Sequence, residues 1–262
     1  MTVETRQAGP ALEGRLTPGA VGLLETVKGQ AWVKTVDHRF VFVNRQFARA
    51  LGCDPGEALG STEAPFFERW RVTEFRKTDR AAVERGSAIL VKERGDDEEG
   101  PWFETLKVPL SSGSGEPLAT VAIAWEVTPW ERIERARAWS AGPPDASGRG
   151  TEPKEWLVRA ADGLVAGHRP GNMIREISRG LGVCPETLTR AFKRAFGGLP
   201  SVYRRWSRVS SARHLILGEG LGLAEAAVEA GFTDQSHMTR ELKQMLGITP
   251  GALRRLRDGR LE

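Results

Sequence analysis

Glu186, Thr189, Arg190, Lys193 and Arg194 recur at intervals of three and four, so they share one side of any helix formed over residues 185–196. The opposite side is an apolar stripe of Leu188, Ala191, Phe192, Ala195 and Phe196. A helix divided in this way buries the stripe and gathers two guanidinium groups, an ammonium, a hydroxyl and a carboxylate on its open face. That set suits the edges of bases and the phosphates beside them. An arginine fork matches guanine O6 and N7, and a glutamate accepts from cytosine N4. Lysine and arginine also neutralise phosphate without regard to sequence. Asp234, Gln235, His237 and Arg240, with Lys243 beyond them, form a second set, backed by Met238, Leu242, Met245 and Leu246. Glutamine there suits adenine, and Asp234 also suits the positive end of a helix.

Other chemistry finds little support. The histidines at 38, 168, 214 and 237 show no metal-ligand spacing. Cys53 and Cys184 are too few and too distant for a disulfide framework or a zinc site, which fits a reducing compartment. The Gly-Glu-Gly-Leu-Gly run at 218–222 lacks the lysine and strand context of a phosphate loop. No nucleophile, base and acid cluster along the chain. An enzyme is not expected.

The two polar faces need elements that hold them. Met173 to Leu181 reads as a short helix, Gly182 suits a left-handed turn, and Cys184 stands at the N-cap before Pro185. A helix, a glycine turn and a second helix with a basic open face is the helix-turn-helix arrangement. It recurs about fifty residues on. Ala224 to Ala230 ends at Gly231, Phe232 repeats the core role of Val183, and Thr233 is the expected N-cap. A linking helix over 201–217, with Val202, Trp206, Val209 and Ile216 apolar, would hold the two units at one spacing. Successive major-groove faces lie roughly 34 Å apart, so one chain could read two of them. Arg204, Arg205, Arg208 and Arg213 on that helix could bind phosphate or pair with acids inside the protein.

The front half alternates instead. A helix opened by Thr17 and Pro18 leads to two strand-like runs around Asp37-His38-Arg39. A short helix stops at Gly52 and a longer one, from Val72, at Gly86. Three strands follow, over 88–94, 102–110 and 119–127, the last two joined by the polar loop Ser111 to Pro117. This predicts an α+β domain, a five-stranded antiparallel sheet with helices on one face. Thr105 and Lys107 share one face of their strand. If that face points inward, Lys107 is a costly buried cation that asks for an acidic ligand. Otherwise it points to solvent. Thr105 and Lys107 are the candidate ligand contacts.

The chain has 262 residues, with 40% apolar and 27% charged, which is the balance of a globular protein of about two domains. No run approaches the length of a membrane span and the first residues lack a secretory core, so a cytoplasmic protein is expected. From Lys154 onward Lys and Arg outnumber Asp and Glu by 18 to 11, a net +7, which leaves −3 for the front. An acidic front joined to a basic back fits a sensing part attached to a nucleic-acid-binding part. The Pro- and Gly-rich stretch between Ser140 and Lys154 reads as a flexible linker.

Residues 18–132 resemble a PAS domain. The resemblance rests on Asp37, Asn44, the Leu-Gly-x-x-Pro-x-Glu-x-Leu-Gly-x-Thr pattern over 51–62, Asp79-Arg80, Glu84-Arg85-Gly86, Trp102, Lys107-Val108-Pro109-Leu110 and Glu126-Val127-Thr128. Trp125 and Glu126 depart from the usual residues. Residues 154–258 resemble the DNA-binding domain of AraC/XylS-type regulators, most specifically in Gly231-Phe232-Thr233-Asp234-Gln235-Ser236-His237 and Gly247-Ile248-Thr249-Pro250. Cys184 stands where that family usually has serine. Residues 133–153 would be a short helix and the linker. The resemblance implies a bacterial regulator that binds double-stranded promoter DNA through Glu186, Thr189, Arg190, Lys193, Arg194, Asp234, Gln235, His237 and Arg240. A homodimer through the PAS domain and a contact with RNA polymerase are further expected partners, and a membrane is not. Haem and flavin are not supported. The helix from Val72 to Arg85 has no histidine, and Cys53 does not match the photoreactive position, which falls near Ser61 and Thr62. The PAS domain would sense a signal or mediate dimerisation. The rival reading makes it a protein-interaction module with no small ligand.

Overall fold

The computed structural model describes residues 12, 16–95, 100–127, 133, 155–166 and 173–260. Most of the segment 133–153, including the expected exit helix to Trp139, lies outside the described residues, as does His168. The chain forms two compact units. The first joins Met1–Glu126 to Arg213–Leu223 and Leu242–Glu262, and the second joins Val127–Ala212 to Ala224–Glu241.

In the first unit, helix α1 (Pro18–Thr26) starts where the Thr17 hydroxyl accepts from the Ala20 amide at 3.1 Å. It leads to β1 (Gln30–Thr35), β2 (Phe40–Val43), α2 (Arg45–Leu51), α3 (Pro55–Ala58) and α4 (Arg69–Arg85). The strands β3 (Ile89–Arg94), β4 (Trp102–Ser111) and β5 (Pro117–Glu126) complete an antiparallel sheet in the order β2-β1-β5-β4-β3. The first and last strands in sequence therefore lie side by side. Asn44 ties this corner together. Its Oδ1 accepts from the amides of Ala31 and Phe47 at 3.0 and 2.9 Å, and its Nδ2 donates to the carbonyls of Leu24 and Gly29 at 3.2 and 2.9 Å. A buried amide with all its bonds made fixes strand start and helix start at once.

The inner face of the sheet packs Trp32, Phe40, Ala122 and Ala124 against Phe47, Ala48 and Ala58. The Trp32 and Phe47 rings stack with centroids 4.3 Å apart. The outer face differs from the expectation of helices on one side only. Ala119 to Trp125 are buried without a break, which a sheet with one wet face would not show. The cover is supplied by the later segments of the same unit, as the Trp125 and Leu246 contact below shows.

The helices of the back half are α5 (Glu155–Ala166), α6 (Met173–Gly180), α7 (Pro185–Phe196), α8 (Pro200–His214), α9 (Leu223–Glu229), α10 (Gln235–Leu246) and α11 (Pro250–Arg257). The second unit is built on Leu157, Ala161, Leu164, Leu188, Phe192, Phe196 and Tyr203. The linking helix is shorter than expected. It passes at Leu215 into a π-helical turn to Glu219, the kind of local widening that marks functional or strained places in helices. Its buried side is Tyr203, Val209, Ala212 and Ile216, whereas Val202 is exposed.

Candidate nucleic-acid interface and buried cavity

The first helix expected to read bases, α7, follows Gly182, whose φ of +67° is the left-handed value that a side chain would strain. Leu188, Phe192 and Phe196 are buried, as the stripe requires. Glu186, Arg190, Lys193 and Arg194 are exposed and Thr189 is half-buried. With Pro185, these five side chains line one open depression. The Thr189 hydroxyl donates to the Pro185 carbonyl at 2.8 Å, which leaves it as an acceptor outward. Cys184 has the extended backbone of an N-cap, yet its side chain makes no cap bond, and its Sγ lies 3.0 Å from the Thr187 hydroxyl.

The second helix expected to read bases, α10, starts differently. Asp234 Oδ1 accepts from the His237 amide at 2.7 Å, so Asp234 and not Thr233 is the cap. His237 is held by Thr233, whose Oγ1 is 3.3 Å from its Nδ1, and by Phe232, whose ring meets it edge-on at 5.3 Å. Gln235 and Arg240 stay exposed, while Met238, Leu242 and Leu246 are buried. Among the linking-helix cations, Arg205 Nε pairs with Glu241 at 2.7 Å. Arg213 is fully buried and pairs with Glu104, so it takes the internal-acid alternative and not phosphate.

The first unit encloses a cavity of about 170 Å³ between the inner sheet face and the helices. Trp32, Phe40, Phe47, Phe67, Phe75 and Phe103 form much of its wall, and Lys34, Glu63, Arg71, Glu93 and Thr105 supply polar groups. The Arg71 guanidinium lies 4.8 and 4.9 Å from the centroids of Phe67 and Phe75, a cation–π arrangement. Lys34 Nζ stands 2.5 Å from both Glu63 Oε1 and Asp79 Oδ2. His38, Glu63 and Asp79 come close enough to suggest a metal site, but the Lys34 ammonium is already the cation between the two carboxylates.

Lys107 points inward and is fully buried, so the solvent-facing alternative is replaced. Its charge is met from within, by Asp79 Oδ1 at 2.8 Å and Glu93 Oε1 at 3.1 Å, with the Thr78 hydroxyl accepting at 2.6 Å. Thr105 donates to Glu93 at 2.6 Å on the cavity wall. Burial alone would raise the Asp79 carboxyl, but Lys34 and Lys107 hold it below the ordinary carboxylate value. The sequence reading missed Lys34, Glu63, Arg71 and Glu93. Lys34 meets Glu63 and Asp79 29 and 45 residues away, and no local pattern announces such pairs.

Residues 29–132 match the family described as PAS fold, and residues 177–256 match the family described as helix-turn-helix domain. The HTH-type transcriptional regulator ExsA of Pseudomonas aeruginosa is 28% identical over 85 residues, which is 32% of this chain and 31% of that protein. Invasion protein InvF of Salmonella typhimurium is 30% identical over 99 residues, 37% of this chain and 44% of that one. The chain thus spans less than half the length of these relatives. Among solved structures, a ligand and DNA complex of VqmA from Vibrio cholerae covers 84% of this chain and 90% of its own at 17% identity, with a TM-score of 0.39, too loose a likeness to carry function across. No helix among the described residues is long and apolar enough to cross a membrane. The chain thus joins a front region of the PAS fold family to a back region of the helix-turn-helix domain family.

Proposed function

We propose that this protein is a sequence-specific DNA-binding transcription regulator, bacterial and cytoplasmic, with a sensor region over 18–132, a connection over 133–153 and a DNA reader over 154–258. The observation that carries the reading is the open face of α7, where Glu186, Thr189, Arg190, Lys193 and Arg194 stand together over a buried apolar stripe. Arg190 and Arg240 are the proposed base readers, with Gln235 and His237 beside Arg240. Lys193 and Arg194 fit phosphate, which sets affinity and register. Asp234 serves the helix start first. The test needs no known operator. A randomised duplex library is bound to the full-length protein and the retained duplexes are sequenced. The expected result is an enriched site. Arg190→Ala and Arg240→Ala should each weaken binding to that site by about 1 to 3 kcal/mol and relax one position of it. Unchanged binding by both variants would overturn these assignments.

The cavity supports a sensing role for the PAS region over a purely protein-docking one. Its aromatic walls suit a small flat molecule. Glu63 Oε2 is buried there without a hydrogen bond, although Arg76 Nη2 lies 3.6 Å away, so a ligand N–H or O–H would have an acceptor. The proposed partners are promoter DNA, a second copy of the chain and RNA polymerase. Native mass spectrometry of freshly purified full-length protein tests both the ligand and the dimer. An added mass that leaves on denaturation supports sensing, and an apo dimer supports the docking reading.

A further inference from the structure

The strands β4 and β5 carry two different environments on their two faces. Thr105 faces Ala124 across the ladder, and both line the cavity. The next pair along, Glu104 and Trp125, points to the outer face. There the indole N–H of Trp125 donates to the Leu246 carbonyl at 3.3 Å. The Lys28 amide donates to the same carbonyl at 2.9 Å, and the Lys28 ammonium donates to the Gln244 carbonyl at 3.0 Å. These are the orphan carbonyls at the C-terminus of α10, the second reading helix. Their cap is supplied by the sheet domain, with a cation at the negative end of the helix.

The approach is close. Gly247 has φ +75°, and a Cβ there would stand 2.4 Å from the Thr26 carbonyl oxygen and 2.5 Å from the Lys28 nitrogen. Beside this backbone contact the Arg213 guanidinium lies 5.1 Å from the Trp125 ring centroid and pairs with Glu104. Arg213 is fully buried, and Glu104 is the acid set against it. A lone buried ion pair is a poor permanent anchor, because the desolvation of both charges offsets most of their attraction. Burial also pulls the guanidinium down to about 10, so it remains charged at neutral pH.

We propose that the outer face of the PAS sheet is a releasable docking surface for the chain's own C-terminal reader segments, with Glu104, Trp125 and Arg213 as the latch, and that occupancy of the cavity on the inner face governs it through β4 and β5. The segment docked is the end of α10 with Gly247, so the sensor holds the second reading helix by its C-terminus. The DNA-facing residues Gln235 and Arg240 remain exposed in this state, so the latch does not cover them. It sets instead where the helix end is held.

Hydrogen exchange of the full-length protein, followed at residues 243–248, tests both parts. Trp125→Phe keeps the ring and removes the donor, and Glu104→Arg breaks the ion pair. Each is expected to speed exchange there at least tenfold. Adding Arg213→Glu to Glu104→Arg restores a pair and should recover most of the protection. Unchanged exchange in Trp125→Phe and Glu104→Arg would overturn the docking surface. If Glu104→Arg does not fold, Trp125→Phe decides alone. Ala124→Leu fills the cavity from the inner face and stands in for a ligand. It should change exchange at 243–248 severalfold, and the Trp125→Phe background should abolish that response. Identical exchange in Ala124→Leu and the wild type would overturn control by the cavity while leaving the docking result to stand or fall by itself.

Discussion

One sheet buries charge on both faces, in a shared network on one and in a single pair on the other. On the inner face, Lys34 and Lys107 meet three carboxylates, Glu63, Asp79 and Glu93, and the hydroxyls of Thr78 and Thr105 add hydrogen bonds. On the outer face, Arg213 pairs with Glu104 alone among the described residues, beside the Trp125 ring. A network in which several charges share partners specifies one arrangement, because each member removed strands the others. A lone buried pair has only one partner on each side to offset its desolvation, so it is more readily exchanged for another state. The inner network therefore belongs to the architecture of the PAS region, and the outer pair is the better candidate for the proposed adjustable contact.

The comparison breaks most sharply at Asp79, which touches both lysines. Asp79→Ala should lose about 3 to 5 kcal/mol in urea unfolding, since it leaves buried cations uncompensated. The pH dependence follows from the same contact. The folded Asp79 carboxyl sits below its ordinary value of 3.8. Its contribution is thus complete above the unfolded value and is lost as pH falls through the lower folded one. Acid unfolding followed by circular dichroism should show this component below about pH 4 in the wild type and lack it in Asp79→Asn.

The outer pair should respond in the opposite sense. Replacing both members with apolar residues, Glu104→Leu with Arg213→Met, is expected to be neutral or stabilising by up to about 4 kcal/mol, although Glu104→Leu alone destabilises. A double substitution that costs as much as Asp79→Ala would erase the distinction between the faces. The smallest effects come from a matched pair of donors. Thr105→Val and Trp125→Phe each remove one hydrogen bond, at about 1 kcal/mol apiece. Thr105→Val should be visible in global stability. Trp125→Phe should be visible chiefly as local exchange around Leu246. A further outcome concerns the reading helices. Cys184→Ser offers α7 the cap bond that Asp234 already gives α10, and should raise thermal stability by up to about 1 kcal/mol.

Periodicity and turn chemistry made much of this protein legible before any coordinates. The stripe of Leu188, Phe192 and Phe196 dictated the open face of α7, because a 3.6-residue repeat leaves the other side to solvent. Strand alternation placed Thr105 and Lys107 on one face, and the run from Trp32 to Thr62 carried the PAS resemblance. What alternation cannot supply is which face is buried and by what. Lys107 reads as a surface lysine until Asp79 and Glu93 are brought to it from another helix and another strand. Arg213 reads as one of several helical cations until Glu104, more than a hundred residues earlier, is set against it. Helix caps and stripes depend on neighbours within one or two turns, so residue types at fixed spacing determine them. Buried ion pairs, the cavity and the capping of α10 by Lys28 and Trp125 depend on segments far apart in sequence, and only the tertiary structure decides which of them meet.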